Sequence, residues 1–348
     1  MNILFDINHP AHVHYFRNAI GLLQKQGHQI FVTARDKDVT LQLLDSFNLK
    51  HQNLSTAQNG LWKLGFELVK REAQIFSILL RKKISICVSS TGACSVHACK
   101  LLGIPSLVFY DTEDATLQNA LTIPFATQYI TPESYFKRMG KNHTTYNGVQ
   151  ELAYLHPKYF SPDPSIYDLL QIAPDEKYIV IRFVAWGAAH DIGKKSLSEA
   201  AKQRLVKSLS RMARVIILSE SALSPELEPY KFSAPPERAH DLLNYASLYI
   251  GESATMASES ACLGTPAIYV SPRKLGYVKE GEKYELIFDL DKEEDILNKS
   301  KEILSMADDL FWKKKREAFL NAHIDVTDFF VKTIIKFGLK KGRSNVLA

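Results

Sequence analysis

The chain has 348 residues, 46% hydrophobic and 23% charged, the proportions of a soluble globular protein longer than one typical domain. Its 43 Lys and Arg against 38 Asp and Glu leave a net charge of +5, a mild excess that favours an anionic ligand or surface, and no nucleic-acid partner is expected. No apolar run is long enough to span a bilayer, nothing resembles a signal peptide, and Cys87, Cys94, Cys99 and Cys262 form no C-x-x-C pair, so a reduced cytoplasmic protein without disulfides, bound metal or cofactor is expected.

Residues 3–7 read as a strand, 8–12 as a loop, and 13–26 as a helix with Phe16, Ile20 and Leu23 on one face, stopped by Gly27. A strand over 29–33, a helix near 39–47 and a long helix over about 61–81 follow. Residues 84–88 form a strand, Ser89-Ser90-Thr91-Gly92 opens a helix that ends at Gly103, 105–110 is a strand, and Tyr129-Ile130 begins another. Alternating strand and helix predict a parallel sheet covered on both faces, with loops at the carboxyl ends of the strands forming the ligand crevice.

Residues 156–176 hold four prolines and read as a link between domains. A second series then runs through a strand at 178–182, a helix at 198–212, a strand at 214–218 and a helix at 239–245. Residues 248–270 read as strand, tight turn, helix over 256–263, a stop at Gly264 and Pro266, and a buried strand. Small residues at that turn, Gly251, Ser253, Ala254 and Thr255, let a ligand approach the backbone, and a helix start suits a phosphate. Glu259, about one turn inside the helix, can accept hydrogen bonds from the two hydroxyls of a ribose; an ordinary βα unit with a solvated Glu fits the local pattern equally. A strand near 285–289, a helix over 293–305 and a helical tail over 308–337 complete the chain.

Two such α/β series, joined by a Pro-rich link and followed by a helical tail, resemble the GT-B superfamily over nearly the whole chain. SATMASESACLGTP is similar to the superfamily signature S-G-G-x-x-x-E-A-x-x-x-G-x-P at Ser253, Glu259, Gly264 and Pro266, with Ala254 and Thr255 in place of the paired glycines. The resemblance implies two Rossmann-like domains facing a central cleft. The acceptor domain spans 1–160, the nucleotide-sugar domain 161–310, and a tail over 311–348 returns to the first domain. It implies a ribose contact at Glu259 and a nucleoside-diphosphate sugar, UDP-linked, as donor. Within the superfamily the chain looks most like an uncharacterised family from archaea and bacteria.

Three further stretches carry candidate chemistry. NHPAHVHYFR holds His9, His12 and His14 after the first strand. A His there can serve as general base on an acceptor hydroxyl. The loop resembles the G-G-H-V motif of the peptidoglycan GlcNAc transferases, with His12 on the motif's His and Pro10 and Ala11 in place of its glycines. Function is assigned to His12, while His9 and His14 are left to cap or pack. Tyr110-Asp111-Thr112-Glu113-Asp114 follows a buried strand; one acid is read as a cap for the next helix and another as functional, with Glu113 chosen before Asp111. RFVAWGAAHDIG follows the first strand of the second series: Arg182 can pair with a diphosphate, His190 can contact the sugar, and Trp186 can stack or pack. Glu220, after the next strand, joins this set.

Three functions compete: a glycosyltransferase, a non-hydrolysing UDP-GlcNAc 2-epimerase, and a non-catalytic nucleotide-sugar sensor. The epimerases' G-D-T motif falls on Ser89-Ser90-Thr91-Gly92-Ala93, which lacks the Asp, and their H-R-R-E-N motif is not reproduced by AWGAAHDIG. Both absences favour the transferase, acting on a carbohydrate or lipid-linked acceptor. The helix GLWKLGFELVKREAQIFSILLRKK carries Trp62, Phe66 and Val69 on one face with basic residues at both ends, a pattern suited to weak peripheral contact with an anionic bilayer as well as to plain packing on the sheet.

Overall fold

The computed structural model describes residues 1–57, 61–184, 197–219, 222–306 and 309–344. The chain divides into two compact units, Met1–Tyr154 joined by the chain from Ile324 onward, and Leu155–His323.

The first unit comprises β1 (Asn2–Ile7), α1 (Pro10–Lys25), β2 (Gln29–Asp36), α2 (Thr40–Ser46), β3 (Gln52–Thr56), α3 (Leu61–Arg81), β4 (Ile86–Ser89), α4 (Ala93–Leu101), β5 (Ser106–Phe109), α5 (Thr116–Thr122), β6 (Gln128–Pro132) and β7 (His143–Tyr146). Among the described residues its sheet has seven strands in the order β3-β2-β1-β4-β5-β6-β7, all neighbours parallel. β1 is an interior strand covered on both faces, which its run Ile3, Leu4, Phe5 and Ile7 requires; all four are buried. β3 and β7 were not foreseen. Each is an edge strand of largely polar sequence, QNLST and HTTY, with a single residue buried, so neither carries an apolar run to announce it.

The short α6 (Leu152–Leu155) marks the division between the units. The second unit comprises α7 (Ile166–Leu170), β8 (Tyr178–Phe183), α8 (Glu199–Leu209), β9 (Arg214–Ser219), α9 (Ala239–Asn244), β10 (Leu248–Gly251), α10 (Ala254–Leu263), β11 (Ala267–Tyr269), α11 (Gly276–Lys283), β12 (Ile287–Asp289), α12 (Glu293–Ser305) and α13 (Asp309–Ala322). Its five described strands run parallel in the order β12-β11-β10-β8-β9. Ile179, Ile181, Ile217, Ile250 and Ile268 from the strands pack with Leu205, Leu209, Ile296 and Ile303 from the helices.

The Pro-rich stretch is a fastened strap rather than a bare link. The Asp163 amide donates to the Asp241 carboxylate at 2.9 Å, and Arg238 donates to the Ser165 hydroxyl at 3.0 Å. The helical tail consists of two helices. In the second unit, α13 stays on α10, where the Arg316 Nε–H donates to the Cys262 carbonyl at 3.0 Å and Phe319 packs on Tyr284. Asp325 accepts the Asp328 N–H at 2.9 Å and starts α14 (Val326–Ser344), which belongs to the first unit and packs on α1 and β4. Phe330 of α14 lies in that unit's aromatic core, 4.1 Å from Phe109 and 6.2 Å from Phe16 between ring centres. Where the sequence divided the chain at 160 and 311, the structure divides it at Leu155 and again at Ile324.

Candidate functional site

In the second unit the turn after β10 is built by packing as much as by access. A Cβ on Gly251 would lie 2.5 Å from the Tyr249 hydroxyl and 2.8 Å from the Arg182 carbonyl, so packing within the unit already requires glycine. Glu252 is buried and clasps the end of β8, accepting the Val184 N–H at 2.9 Å. Ser253 is the N-cap of α10, and its hydroxyl oxygen accepts the Met256 N–H at 3.3 Å. The helix therefore starts two residues earlier than its apolar pattern announced. The first-turn N–H groups of Ala254 and Thr255 precede any intrahelical acceptor and remain donors toward the turn. Gly264, at φ +86°, ends the helix in the left-handed region.

Glu259 is not solvated. It is buried, and its carboxylate lies 3.0 Å from Nε2 of the buried His240 on α9. Ring contact with Phe160 sets the other side of that imidazole. His240 escaped the sequence reading, since its partner Glu259 lies 19 residues further along the chain. Arg182 sits on β8 beside β10, paired in register with Gly251. Trp186, His190 and Glu220 lie outside the described residues.

In the first unit, the helix after β1 begins at Pro10 rather than at Val13. His9 is its N-cap: Nδ1 accepts the Ala11 N–H at 3.2 Å and its carbonyl accepts the His12 N–H at 3.0 Å. Pro10 has no N–H to offer. The opening turn of α1 is thus closed to an anion, in keeping with the loss of the glycines from the resembling motif. His12 belongs to the first turn of this helix and is buried, with its pKa lowered well below the ordinary value, by burial first and then by the neighbouring His9, Lys37 and Arg71. Its Nδ1 accepts the Asn8 N–H at 3.3 Å. The neutral ring then carries its proton on Nε2, which presents a donor and not the lone pair that a general base needs. His14 packs between Tyr154 and Phe47, at 5.2 and 5.6 Å.

Tyr15 ties His12 to the acidic loop. Its ring stacks on His12 at 6.1 Å, and its hydroxyl donates to the Asp111 carboxylate at 3.4 Å. Asp111 also accepts the Thr112 hydroxyl at 2.9 Å. The loop after β5 is thereby brought to the loop after β1. Helix α5 is capped at Ala115, and the Thr116 N–H reaches the Asp114 backbone carbonyl. Glu113 is buried, with Lys137 donating to its carbonyl at 2.7 Å. Beneath His12, the buried Asp6 accepts from Arg71 at 2.5 Å, Thr33 at 2.9 Å and Asn8 at 3.3 Å. Arg71 and Glu67 are charges on the inner face of α3, the reverse of what its amphipathic pattern suggested. Glu67 takes a two-point contact from Arg35 at 2.7 and 2.8 Å. Among the described residues no group of three or more His, Cys, Asp or Glu is placed to hold a metal.

Residues 1–337 match the model of a family described as a protein of unknown function (DUF354). The chain belongs to that family. An uncharacterised protein of Methanocaldococcus jannaschii is 24% identical over 286 residues, covering 79% of this chain and 83% of the relative. Among solved structures, the UDP-N-acetylglucosamine 2-epimerase of Rickettsia bellii superposes with a TM-score of 0.69 at 14% identity, covering 100% of both chains. The UDP-GlcNAc 2-epimerase of Neisseria meningitidis, solved bound to UDP-GlcNAc, gives 0.68 at 13% identity, covering 97% of this chain and 100% of that one. MurG of Acinetobacter baumannii gives 0.57 at 17% identity, again covering 97% and 100%. The chain thus has the GT-B fold, two Rossmann-like parallel-sheet units. At these identities the likeness is one of fold.

Proposed function

We propose that the protein is a metal-independent glycosyltransferase that moves a sugar from a UDP-linked donor to a hydroxyl acceptor in surface-glycan synthesis. The start of α10 carries this reading: amide donors at Ala254 and Thr255 suit a diphosphate, and Glu259, oriented by His240, suits the ribose hydroxyls. Gly251 and Ser253 shape the turn, and Arg182 pairs with the diphosphate. In the first unit Asp111 takes the proton of the acceptor hydroxyl as its oxygen bonds to the anomeric carbon and the bond to the diphosphate breaks. Tyr15 orients that carboxylate, Glu113 positions the acceptor, and His12 donates from Nε2 to the same group. The acceptor is carbohydrate or lipid-linked. Helix α3 supports the second form, because Phe66 and Val69 are 74% and 70% exposed while Lys70 stands beside them, a composition suited to weak contact with an anionic bilayer.

A nucleotide-sugar panel read by thermal shift, followed by product analysis on the hits, tests the proposal. UDP and a UDP-sugar should raise the melting temperature, and UDP should be released with transfer of the sugar. An epimeric UDP-sugar formed without release of UDP would replace transfer by epimerisation. Absence of any nucleotide-dependent shift would remove the donor site.

A further inference from the structure

The loops after β1 and β2 leave the sheet side by side, because the two strands are parallel neighbours up to Ile7 and Ala34. The first loop presents two imidazoles. His9 and His12 have ring centres 5.8 Å apart, and each Nδ1 accepts a backbone N–H, from Ala11 at 3.2 Å and from Asn8 at 3.3 Å. Both neutral rings therefore carry their proton on Nε2. The backbone amides of this turn are taken up, but its side chains offer two N–H donors that bond to no described residue. The second loop adds a cation. Lys37 directly follows β2, and its carbonyl is fixed by the Thr40 N–H at 3.1 Å and the Thr40 hydroxyl at 2.6 Å. Its positive charge lowers the pKa of both imidazoles, which places the amine near the two rings. Its ion-pair partner, Asp38, stands 3.7 Å away in an exposed pair that contributes little.

The place is open to solvent. His9 is exposed and Lys37 is 38% exposed, whereas His12 is 5% exposed, so the donors run from an open rim to a buried floor. Protein crowds the exposed His9 ring closely enough to lower its pKa to about 4, which a ring on a convex surface would not show. Arg71, bonded to Asp6 beneath, adds a second positive charge that acts on His12. A cation is repelled by Lys37 and Arg71, and a metal finds no lone pair on either Nε2. A neutral sugar would use the donors but not the charge. An anionic oxygen group accepts from both imidazoles and from the ammonium together. We infer that His9, His12 and Lys37 form a cradle for an anionic group carried by the acceptor, a phosphate or a carboxylate. This rests on the acceptor role given to His12 above and makes the acceptor a charged molecule. The Tyr15 ring, which stacks on His12 and reaches Asp111 with its hydroxyl, spaces the cradle from the carboxylate that takes the proton.

Lys37→Gln and His9→Asn test it against the parent. Gln removes the charge at a part-exposed position, and Asn keeps the N-cap of α1 while removing the Nε2 donor, so both variants should melt close to the parent. Thermal-shift titrations with inorganic phosphate, glucose 6-phosphate, glucuronate and glucose are run at constant ionic strength in saturating UDP, which occupies the donor site. The parent should answer a charged ligand and not glucose at the same concentrations. Its apparent affinity for that anion should fall about tenfold in Lys37→Gln and several-fold in His9→Asn, while UDP affinity stays. Loss confined to phosphate and glucose 6-phosphate makes the acceptor's group a phosphate; loss confined to glucuronate makes it a carboxylate. No anion response in the parent, an unchanged anion affinity in either variant, or an equal response to glucose overturns the inference. A matching loss of UDP affinity also overturns it, since the anion would then be the donor's diphosphate. A parent that binds anions through these residues but does not bind UDP leaves the cradle standing and removes the nucleotide reading instead.

Discussion

At the ends of β1 and β10 the chain makes the same move, from a buried parallel strand through two residues into a helix: Asn8-His9 in the first unit, Glu252-Ser253 in the second. The two helix starts differ in what they leave available. His9 consumes the donors of Ala11 and His12, and Pro10 supplies none. Ser253 takes only the Met256 N–H, so Ala254 and Thr255 still face outward as donors. One βα unit is therefore built around side chains and the other around backbone amides. The identity of the cap and of the first helical residue decides which.

If chemistry in the first unit rests on side chains, the acid beside Tyr15 should matter most. Asp111→Asn should lower transfer by roughly 10²–10⁴-fold, the range for loss of a general base, while leaving UDP affinity intact. His12→Ala should cost less, since its Nδ1 is engaged by the Asn8 N–H and its Nε2 carries the proton. Single-turnover transfer by the two variants ranks them. If His12→Ala were the more damaging, the base would return to the imidazole.

In the second unit, Glu259→Ala should weaken UDP binding by about tenfold or more, because a charged acceptor contributes roughly 1.5–3 kcal/mol. Calorimetric titration decides, and equal affinities would end the ribose role. The same variant leaves His240 buried without its carboxylate partner, so thermal stability should fall as well.

These two regions were not equally legible. The order of elements, the parallel sheets and the Ser253 to Pro266 signature stood in the sequence, because buried parallel strands are apolar runs and caps, glycines and prolines are local signals. The edge strands β3 and β7 did not, since one buried residue in each leaves no periodicity to read. The helix start at Pro10 falls in the stretch read as loop, although proline is a natural first helical residue. Tyr15, Arg71 and His240 were missed for a different reason. Each acquires its role from a partner distant in sequence: Asp111, Asp6 and Glu259. Tyr15 alone had a local clue, since it lies three positions after His12 on one helix face.

The closed turn also has a pH signature. His12 has a folded pKa below its unfolded value of about 6.5, so the unfolded chain binds the proton more readily. The stabilisation is fully present above pH 6.5 and is lost as pH falls below it, at up to about 1.4 kcal/mol per pH unit. Urea unfolding between pH 8 and pH 5 should show this loss in the parent and a flatter profile in His12→Asn. Parallel profiles would mean that the imidazole is not held neutral.

The two turns can also be made alike. Ala254→Pro places proline at the first helical position of α10, as Pro10 does in α1, and removes one donor without breaking the helix. Ser253 already has the extended backbone that precedes a proline, φ −85° and ψ 109°. UDP affinity should fall several-fold, in line with the roughly 0.3–1 kcal/mol typical of charge at an exposed helix start, while melting temperature barely changes. An unchanged affinity would assign the diphosphate to side chains such as Arg182.

The smallest effect concerns the outer surface, where the two units differ again. Exposed large apolar residues gather in the first unit, with Phe66, Val69, Leu101, Leu117 and Phe136 all more than half exposed, whereas Leu310 is the comparable residue of the second among those described. In α3 the division is sharp: Ile75 and Leu79 pack inward in the second half, but toward the start Glu67 and Arg71 take the inner face and leave Phe66 and Val69 outside. Burying that inner ion-pair network forces the apolar side chains of the same turns into water, unless a surface covers them. With Lys70 beside them and Arg81, Lys82 and Lys83 at the far end, an anionic bilayer fits that surface. No described helix is long and apolar enough to cross a membrane, so contact should be shallow and salt-sensitive. A fraction of the protein should sediment with anionic liposomes at low salt and leave them at high salt. Phe66→Ser with Val69→Ser should reduce that fraction without changing UDP affinity. Protein that stays in the supernatant at low salt would instead indicate an acceptor free in solution.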